Sequence, residues 1–195
     1  TANIRIYNDV QEVRKSIAES FHPDTNSWFL VHNQKPKDED PKIKNGRQIM
    51  EIIEKDKDVS GVSPFIGSQA LFRLGLAQAS GRIAGVNIEK ENAIFDVQKH
   101  MKEGDILDLE TSPNGIILGE GLSMKLGAKV GDNMMIVSPK GVALDMRVIG
   151  IHKSGIVELD NTRAYINIRN AQKLLGVDGS YLTNLNIKLK DINKA

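Results

Sequence analysis

The stretch "ILGEGLSMKLGAKVGDNMMIVSPKG", residues 117–141, combines the patterns of a short helix, a turn and a strand. We predict that Gly127 ends the helix, because glycine readily adopts the left-handed conformation that closes many helices. Val130 is then expected to be buried, and Gly131 and Asp132 turn the chain into the strand "NMMIV". The stretch therefore predicts a compact helix–turn–strand unit in a small β-rich lobe.

The first glycines of this stretch do not form a phosphate-binding loop. Gly119 and Gly121 precede the helix, but a dinucleotide fingerprint requires another small residue three positions on, where Met124 stands. The ending G-K-[ST] of a Walker A loop is also missing from "GEGLSMKLG". We interpret Gly119 as the end of a buried strand and expect Leu122 and Leu126 of the helix to pack inward.

Composition excludes several classes of function. The 195 residues include 26 basic and 25 acidic side chains, and a net charge of +1 gives no electrostatic case for binding nucleic acid. The absence of cysteine excludes disulfides, thiolate metal sites and thiol nucleophiles. No apolar run approaches the roughly 18 residues that a membrane span requires. The opening "TANIRIYNDV" lacks the apolar region of a signal peptide, and a start without Met indicates a processed or excised segment.

Periodicity and turn residues predict an α+β chain. In the first half we predict helices over 7–21 and 47–57, strands over 27–32, 59–75 and 82–89, and a solvated loop over 33–46. Next we predict a helix over 94–105 that ends at Gly104. The remaining elements are a strand "GIILG", a helix "EGLSMKLG", strands "NMMIVSP" and "ALDMRVIGIHKSG" joined by a turn at "SPKG", a strand "RAYINI", a helix "RNAQKLLG" and a strand "YLTNLNIKLKD".

Two details of this pattern concern the first half of the chain. Pro64 and Gly67 predict a bend or bulge in the long strand, and "LAQASG" links that strand to the next as a hairpin. The helix over 47–57 is predicted to present one apolar face, made of Ile49, Ile52 and Ile53. The overall order is β-α-β, an insertion, and β-α-β, so we expect the two halves to pair into one sheet with a second small lobe between them.

Motifs for metal binding are incomplete. "DKDVSG", residues 56–61, begins like a calcium-binding loop, but the twelfth position holds Gly67 instead of a bidentate glutamate. A surface turn after a helix is the better interpretation. The four histidines, His22, His32, His100 and His152, show no H-x-x-x-H spacing, and no two share a predicted element. We predict no metal site and no cofactor.

Catalytic motifs are missing as well. Glu158 and Asp160 in "GIVELDN" would point to the same side of an extended segment, and paired carboxylates can perform acid–base chemistry. No apolar pocket or nucleophile is visible beside them, so we interpret them as a solvated strand face. No G-x-S-x-G sequence occurs. The sequence therefore predicts no enzymatic activity.

Longer strings resemble one family. "GIILGEGLSMKLGAKVGDNMMIVSPKG" and "RVIGIHKSGIVELDNTRAYINIRNAQKLLG" resemble the extracytoplasmic domain of the permease subunits of lipoprotein-releasing ABC transporters, the LolC/LolE type. The wider family includes the macrolide exporter MacB and the cell-division permease FtsX. Upstream, "VSGVSPFIGSQALF" and "GRIAGVNIEKE" resemble the same family, and the resemblance covers roughly residues 28–195.

The resemblance implies a fold, a location and partners. It implies a porter-like βαβ lobe made of residues 1–85 and 156–195, with a β-rich lobe, residues 86–155, inserted between them. The whole permease would cross the inner membrane with four spans that lie outside this chain, and this domain would be periplasmic. The implied partners are a second permease subunit, a cytoplasmic ATPase, a lipoprotein or other exported substrate, and a periplasmic partner protein.

The sequence departs from the family at one loop. In the chaperone-docking permease of the lipoprotein system, a protruding hook interrupts the strands near "SPKG". Here only "KGVAL" separates "MMIVSP" from "DMRVIG", which is too short for a hook. This departure favours the non-docking partner subunit, or a related permease with different cargo. An efflux or signalling permease similar to MacB or FtsX is one alternative, and a free-standing secreted ligand-binding module is another.

Two sets of residues are candidates for contact with cargo or partners. Apolar residues of the long strand could contact acyl chains, although ordinary core packing explains them better: Phe65, Leu71, Phe72 and Leu74. Residues at the tip of the second hairpin could contact a partner, and turn geometry explains them equally well: Ser138, Pro139, Lys140 and Gly141.

Overall fold

The computed structural model describes residues 4–8 and 42–191. The predicted strand over 27–32, and nearly all of the predicted helix over 7–21, lie outside these residues, although Tyr7 belongs to a strand. In chain order the elements are β1 (Ile4–Tyr7), α1 (Gly46–Glu54), β2 (Val59–Leu74), β3 (Ala77–Val86), α2 (Ile88–Phe95), a 3₁₀ helix (Val97–His100), β4 (Met101–Glu103), α3 (Asp108–Thr111), β5 (Gly115–Gly119), α4 (Glu120–Leu126), β6 (Asn133–Val137), β7 (Ala143–His152), α5 (Val157–Thr162), β8 (Arg163–Asn167), α6 (Ile168–Leu175) and β9 (Asn184–Leu189).

The strands form one mixed sheet. Its order is β1-β9-β2-β3-β8-β5-β7-β4, and β6 pairs with both β2 and β7. The β3–β8 and β5–β7 pairs are parallel, and the other pairs are antiparallel. This architecture confirms the predicted α+β class and the pairing of the two halves into one sheet. Strands from 1–85, 86–155 and 156–195 all belong to that sheet, and the division into two lobes stays a prediction.

The longest feature of the sheet is the hairpin of β2 and β3. Ten residue pairs join the strands, from Phe65 opposite Val86 to Leu74 opposite Ala77. Gly75 opens the two-residue turn with φ 59, as the first central position of a type II′ turn requires. The hairpin is confirmed, but most of "LAQASG" belongs to β3 instead of a loop. The predicted bulge at Pro64 and Gly67 was misplaced, since the register shifts between Val59 and Gly61.

The sheet is buried on both faces at its centre. Along β3, Ile83 belongs to the main core, whereas its neighbour Ala84 belongs to a second cluster on the opposite face. Helices α4 and α6 cover the main core with Leu122 and Leu174, which are both fully buried. Helices α2 and α3 cover the second cluster. All five residues of β5 are therefore buried, as the prediction for "GIILG" required.

One helix lies earlier in the chain than predicted. The side chain of Asn87 accepts a hydrogen bond of 3.0 Å from the Lys90 amide, and this cap starts α2 inside the segment that we expected to end a strand. Asp96 ends the helix with φ 54. The predicted helix over 94–105 is therefore wrong, because the chain continues as the 3₁₀ helix and β4. The helix begins at the Asn87 cap, before the apolar residues whose periodicity we used to predict it.

Other helix predictions were closer. Gly127 ends α4 and Gly176 ends α6, both in the left-handed conformation. Val130 was expected to be buried but is 42% exposed, because the chain turns away from the core before β6. Ile52 was expected on the apolar face of α1 and is 70% exposed, whereas Ile49 packs against the main core.

Among residues 4–8 and 42–191, no helix is both long enough and apolar enough to cross a bilayer.

Candidate functional site

The glycines of the opening stretch allow two elements to approach closely. A Cβ on Gly119 would lie 2.4 Å from the carbonyl oxygen of Asp160, and one on Gly121 would lie 1.9 Å from Oδ1 of Asn161. The start of α4 therefore packs directly on α5. Glu120 at this helix start forms ion pairs with Lys102 (2.6 Å) and Lys153 (2.9 Å). The motif thus serves packing, and a carboxylate occupies the helix start where a phosphate loop would place its anion.

The turn between β6 and β7 contains the four residues that we predicted to contact a partner, Ser138 to Gly141. The Ser138 amide donates to the Val142 carbonyl, and the Gly141 amide donates to the Ser138 carbonyl, each at 2.9 Å. The Val142 amide also donates to Ser138 Oγ at 3.2 Å. Ser138 is therefore buried by the turn itself, whereas Pro139, Lys140 and Gly141 are exposed. The loop is short, as the sequence indicated.

An open cleft of about 420 Å³ lies beside this turn. Leu71 of β2 contributes to it together with Ser138 and Pro139, because Leu71 pairs with Val137 at the end of β6. Leu71 is 37% exposed. The fold thus brings one predicted acyl-chain residue to the predicted partner contact, although the two are far apart in the sequence. We call this surface the hairpin cleft.

The other predicted acyl-chain residues are distributed differently. Phe72 is fully buried in the main core, and Leu74 is partly buried against it. Phe65 is partly buried on the opposite face of the sheet, against the second cluster. The predicted set therefore does not form one surface, because successive strand residues point to opposite faces.

A larger groove, of about 710 Å³, lies on the face of the sheet that carries the second cluster. Apolar side chains contribute to its lining: Phe65, Ala84, Phe95 and Val97. Polar and charged side chains also line it: Arg5, Arg82, Glu91, His100, His152, Ser154, Arg163, Tyr165, Thr183, Asn184 and Asn186. We call this surface the arginine groove. Its volume lies within the range of small-molecule sites.

Glu91 of α2 is a buried carboxylic acid at the arginine groove. Ser63 Oγ donates a hydrogen bond of 2.6 Å to Glu91 Oε2. Burial raises the pKa of Glu91, and the Ser63 hydrogen bond and the charges of Arg163 and Arg5 only partly offset this effect. Glu91 is therefore easier to protonate than an exposed glutamate.

Two histidines and a tyrosine meet at the other side of the groove. The ring of His152 lies 5.3 Å from the ring of Tyr165 and 6.1 Å from that of His100, edge-on in both cases. Burial lowers the pKa of His152 to about 4, although the charge of Asp160 opposes this effect. His152 is therefore neutral at neutral pH. Sequence reasoning missed this pair of histidines, because His100 ends the 3₁₀ helix and His152 ends β7, and the two elements are far apart in the chain.

Asp160 holds the loop that borders this site. It accepts hydrogen bonds from the Ser154 amide and hydroxyl, both at 2.7 Å, and from the Gly155 amide at 3.1 Å. Burial acts to raise its pKa, but these hydrogen bonds prevail and lower it. The prediction that Glu158 and Asp160 lie on one face of an extended segment was wrong, because both residues lie on helix α5. Glu158 is exposed at the hairpin cleft, and the two carboxylates have separate surroundings.

Sequence reasoning missed the arginine groove, although alternation offered a signal for it. Arg163 and Tyr165 are two apart on β8, as are Asn184 and Asn186 on β9, so each pair faces one side of the sheet. Combining the two pairs into one site also requires knowing which strands are neighbours in the sheet. Within the part of the chain that the structure describes, no three His, Asp or Glu side chains are grouped to hold a metal ion.

Comparison with known proteins identifies relatives of the chain. The lipoprotein-releasing system transmembrane protein LolC of Neisseria meningitidis serogroup B is 30% identical over 163 residues, which cover 76% of this chain and 38% of LolC. The LolC of Xylella fastidiosa strain Temecula1 is 29% identical, over 72% of this chain and 35% of that protein. LolE of Haemophilus influenzae is 22% identical, over 80% and 39%. The chain thus spans less than half the length of these relatives.

Solved structures share the fold. The extracellular domain of the noncanonic ABC-type transporter YknZ from Gram-positive bacteria has a TM-score of 0.57 and 15% identity, over 75% of this chain and 74% of that one. The periplasmic region of MacB from Actinobacillus actinomycetemcomitans has a TM-score of 0.55 and 18% identity, over 74% and 64%. At these identities the likeness concerns the fold alone. Residues 3–195 match the family described as the MacB-like periplasmic core domain, and the chain belongs to that family.

Proposed function

We propose that the chain is the extracytoplasmic domain of an ABC transporter permease subunit, located on the periplasmic side of the inner membrane. In this proposal the domain relays ATP hydrolysis by a cytoplasmic ATPase to the release of a lipoprotein. A second permease subunit pairs with it. The observation that carries the proposal is the similarity to LolC over 76% of the chain.

The positions of the first and last strands, β1 and β9, support this function. Ile4 on β1 lies opposite Ile187 on β9, and the strands are antiparallel. The chain therefore enters and leaves the sheet at the same end of one strand pair. In a domain joined to the membrane through two flanking spans, such neighbouring strands would carry motion of both spans into one sheet.

The proposed contacts with partner and cargo lie at the hairpin cleft. Ser138 and Pro139 line the cleft, and Leu71 supplies its apolar surface. Lys140 and Gly141 follow Pro139 in the same turn and are exposed. Phe65 offers apolar surface at the arginine groove, and Leu74 is partly buried. We assign Phe72 a packing role, since its side chain is fully buried. The domain acts by binding and relaying motion, without catalytic residues or a cofactor of its own.

The test uses the full-length permease with its ATPase in proteoliposomes. Lipoprotein release on addition of ATP is measured for the wild type, for Leu71→Ser, and for Leu76→Ser as the matched control. Leu76 is fully exposed at the tip of the β2–β3 hairpin and does not line the hairpin cleft. We expect Leu71→Ser to reduce release severalfold, whereas Leu76→Ser and basal ATPase activity remain unchanged.

Two results would overturn the proposal. Wild-type proteoliposomes that hydrolyse ATP but release no lipoprotein would exclude this cargo, and reduced macrolide accumulation in cells would then support an efflux permease. Equal release by the Leu71→Ser and Leu76→Ser variants would exclude the hairpin cleft as the contact surface.

A further inference from the structure

We propose that the arginine groove binds an amphiphilic oxyanion, a phosphate or carboxylate group attached to an apolar body. Arg82 and Arg163 hold the oxyanion, and the apolar body lies on Phe65 and Phe95. This inference does not rest on the transport proposal, because binding is measured on the chain itself.

The first argument is the charge of the groove. Arg82 and Arg163 are register partners on the parallel strands β3 and β8, so their Cα atoms are about 4.8 Å apart. Both side chains line the groove. Like charges directly opposite each other destabilise a sheet unless a counter-charge lies between them. With Arg5, the lining contains three arginines against one carboxylic acid, Glu91.

The second argument is the set of partners that these arginines have. Arg163 Nη1 bonds the Tyr165 hydroxyl at 3.5 Å, and Arg5 Nε donates to Asn186 Oδ1 at 3.3 Å, so both partners are uncharged. Within residues 4–8 and 42–191, none of the groove arginines forms an ion pair. A guanidinium has five N–H donors and matches the two oxygens of a carboxylate or phosphate. Most of the donors of Arg163 therefore remain available to a ligand.

The third argument concerns Glu91. Its carboxyl group bonds Ser63 instead of an arginine, and burial favours its neutral form. Any negative charge on Glu91 opposes the binding of an anion beside Arg163. Glu91→Gln has the same shape, keeps an oxygen that can accept from Ser63, and removes any remaining negative charge. This variant is therefore expected to bind the oxyanion more tightly.

The apolar part of the groove indicates an organic ligand instead of a bare ion. Phe65 and Phe95 are only partly buried by the second cluster, so both rings keep exposed surface on this face of the sheet. An inorganic anion would leave these aromatic surfaces in contact with water. A ligand with an apolar body covers them, which adds the free energy of burying apolar area.

The experiment titrates the 195-residue chain with octyl phosphate below its micelle concentration, monitored by amide NMR and calorimetry. Inorganic phosphate and octyl glucoside serve as the bare-anion and uncharged arms. We expect saturable binding of octyl phosphate, with shifts at Phe65, Ala84 and Tyr165, at least about tenfold tighter than either control. Arg163→Gln should weaken binding by about tenfold or more, the scale of a charge-assisted hydrogen bond.

Two further variants make the result decisive. Glu91→Gln should bind severalfold tighter, a gain that misfolding cannot produce, and Arg147→Gln on the exposed part of β7 should bind as the wild type does. Equal losses in Arg163→Gln and Arg147→Gln would overturn the site. If inorganic phosphate bound as tightly as octyl phosphate, the apolar body would contribute nothing to binding, and the proposal of an amphiphilic ligand would be wrong. If octyl glucoside bound as tightly as octyl phosphate, the arginines would not recognise an anion, and the proposed role of charge would be wrong.

Discussion

Ser63 Oγ donates a hydrogen bond of 2.6 Å to Glu91, joining β2 to the helix that covers the second cluster. Burial raises the pKa of Glu91, so the folded state binds this proton more strongly than the unfolded state does. Stability therefore falls as pH rises above the ordinary pKa of 4.5. The bond joins two elements, but the ionised carboxylate weakens the fold.

Glu91→Gln should be more stable than the wild type at pH 7.5, because it removes the buried charge and keeps an acceptor for Ser63. The difference should shrink towards zero near pH 4, where the wild-type carboxyl is neutral. Urea unfolding at both pH values measures this. A variant that is less stable than the wild type at both pH values would contradict the expected cost of ionising Glu91.

His152 should titrate far below an exposed histidine. Since burial lowers its pKa from 6.5 to about 4, the unfolded state binds more protons between these values. Lowering the pH from 6.5 to 4 therefore destabilises the fold through this group. The His152 imidazole resonances should give a midpoint near 4, and His152→Asn should remove this destabilising contribution from the pH dependence of the unfolding free energy. His100→Asn is the control and should leave that contribution in place.

Gly85 is predicted to tolerate no side chain. A Cβ there would lie 2.2 Å from the Cβ of Ala171 on α6, which packs against β3. Gly85→Ala should cost at least about 1–3 kcal/mol, the usual cost of overpacking a core. Gly179→Ala is the control, since a Cβ there has no atom within 4 Å among the described residues. It should be neutral or stabilising by about 0.4–1 kcal/mol. Similar melting temperatures for the two variants would contradict this packing.

Phe72 and Leu71 are neighbours with opposite environments. Phe72 is fully buried, so Phe72→Ala should cost about 3–5 kcal/mol through lost burial and a residual cavity. Leu71 is 37% exposed, and Leu71→Ala should change stability by less than about 1 kcal/mol. Urea unfolding of both variants measures this contrast. Comparable losses would show that the hairpin cleft is closed around Leu71 in solution.

Local patterns predicted many elements. "GIILG" is strand β5 with every residue buried, and Gly127 and Gly176 end helices α4 and α6. These predictions succeeded because a continuous apolar run, or a glycine that ends a helix, determines the structure of only the few residues around it. The helix predicted over 94–105 was wrong, since Val97 and Met101 pack against the second cluster from a 3₁₀ helix and a short strand instead.

The two candidate surfaces, the hairpin cleft and the arginine groove, depend on pairing between distant segments. Leu71 meets Ser138 and Pro139 because β6 pairs with β2. Arg82 meets Arg163 because β3 and β8 are parallel neighbours, whereas a shift by one residue would direct one of the two arginines into the main core. Alternation places a side chain on a face, but it does not say which strand lies beside it.

By itself, the sequence determined the α+β class, most strands and helices of the second half, the short turn at "SPKG", and the resemblance to the family. These properties depend on residues close together in the chain. Only the tertiary structure decided that His100 meets His152, that Glu91 is buried against Ser63, and that three arginines share one groove. Burial and charge environment arise from contacts across the sheet, and those contacts exist only once the strand order is fixed.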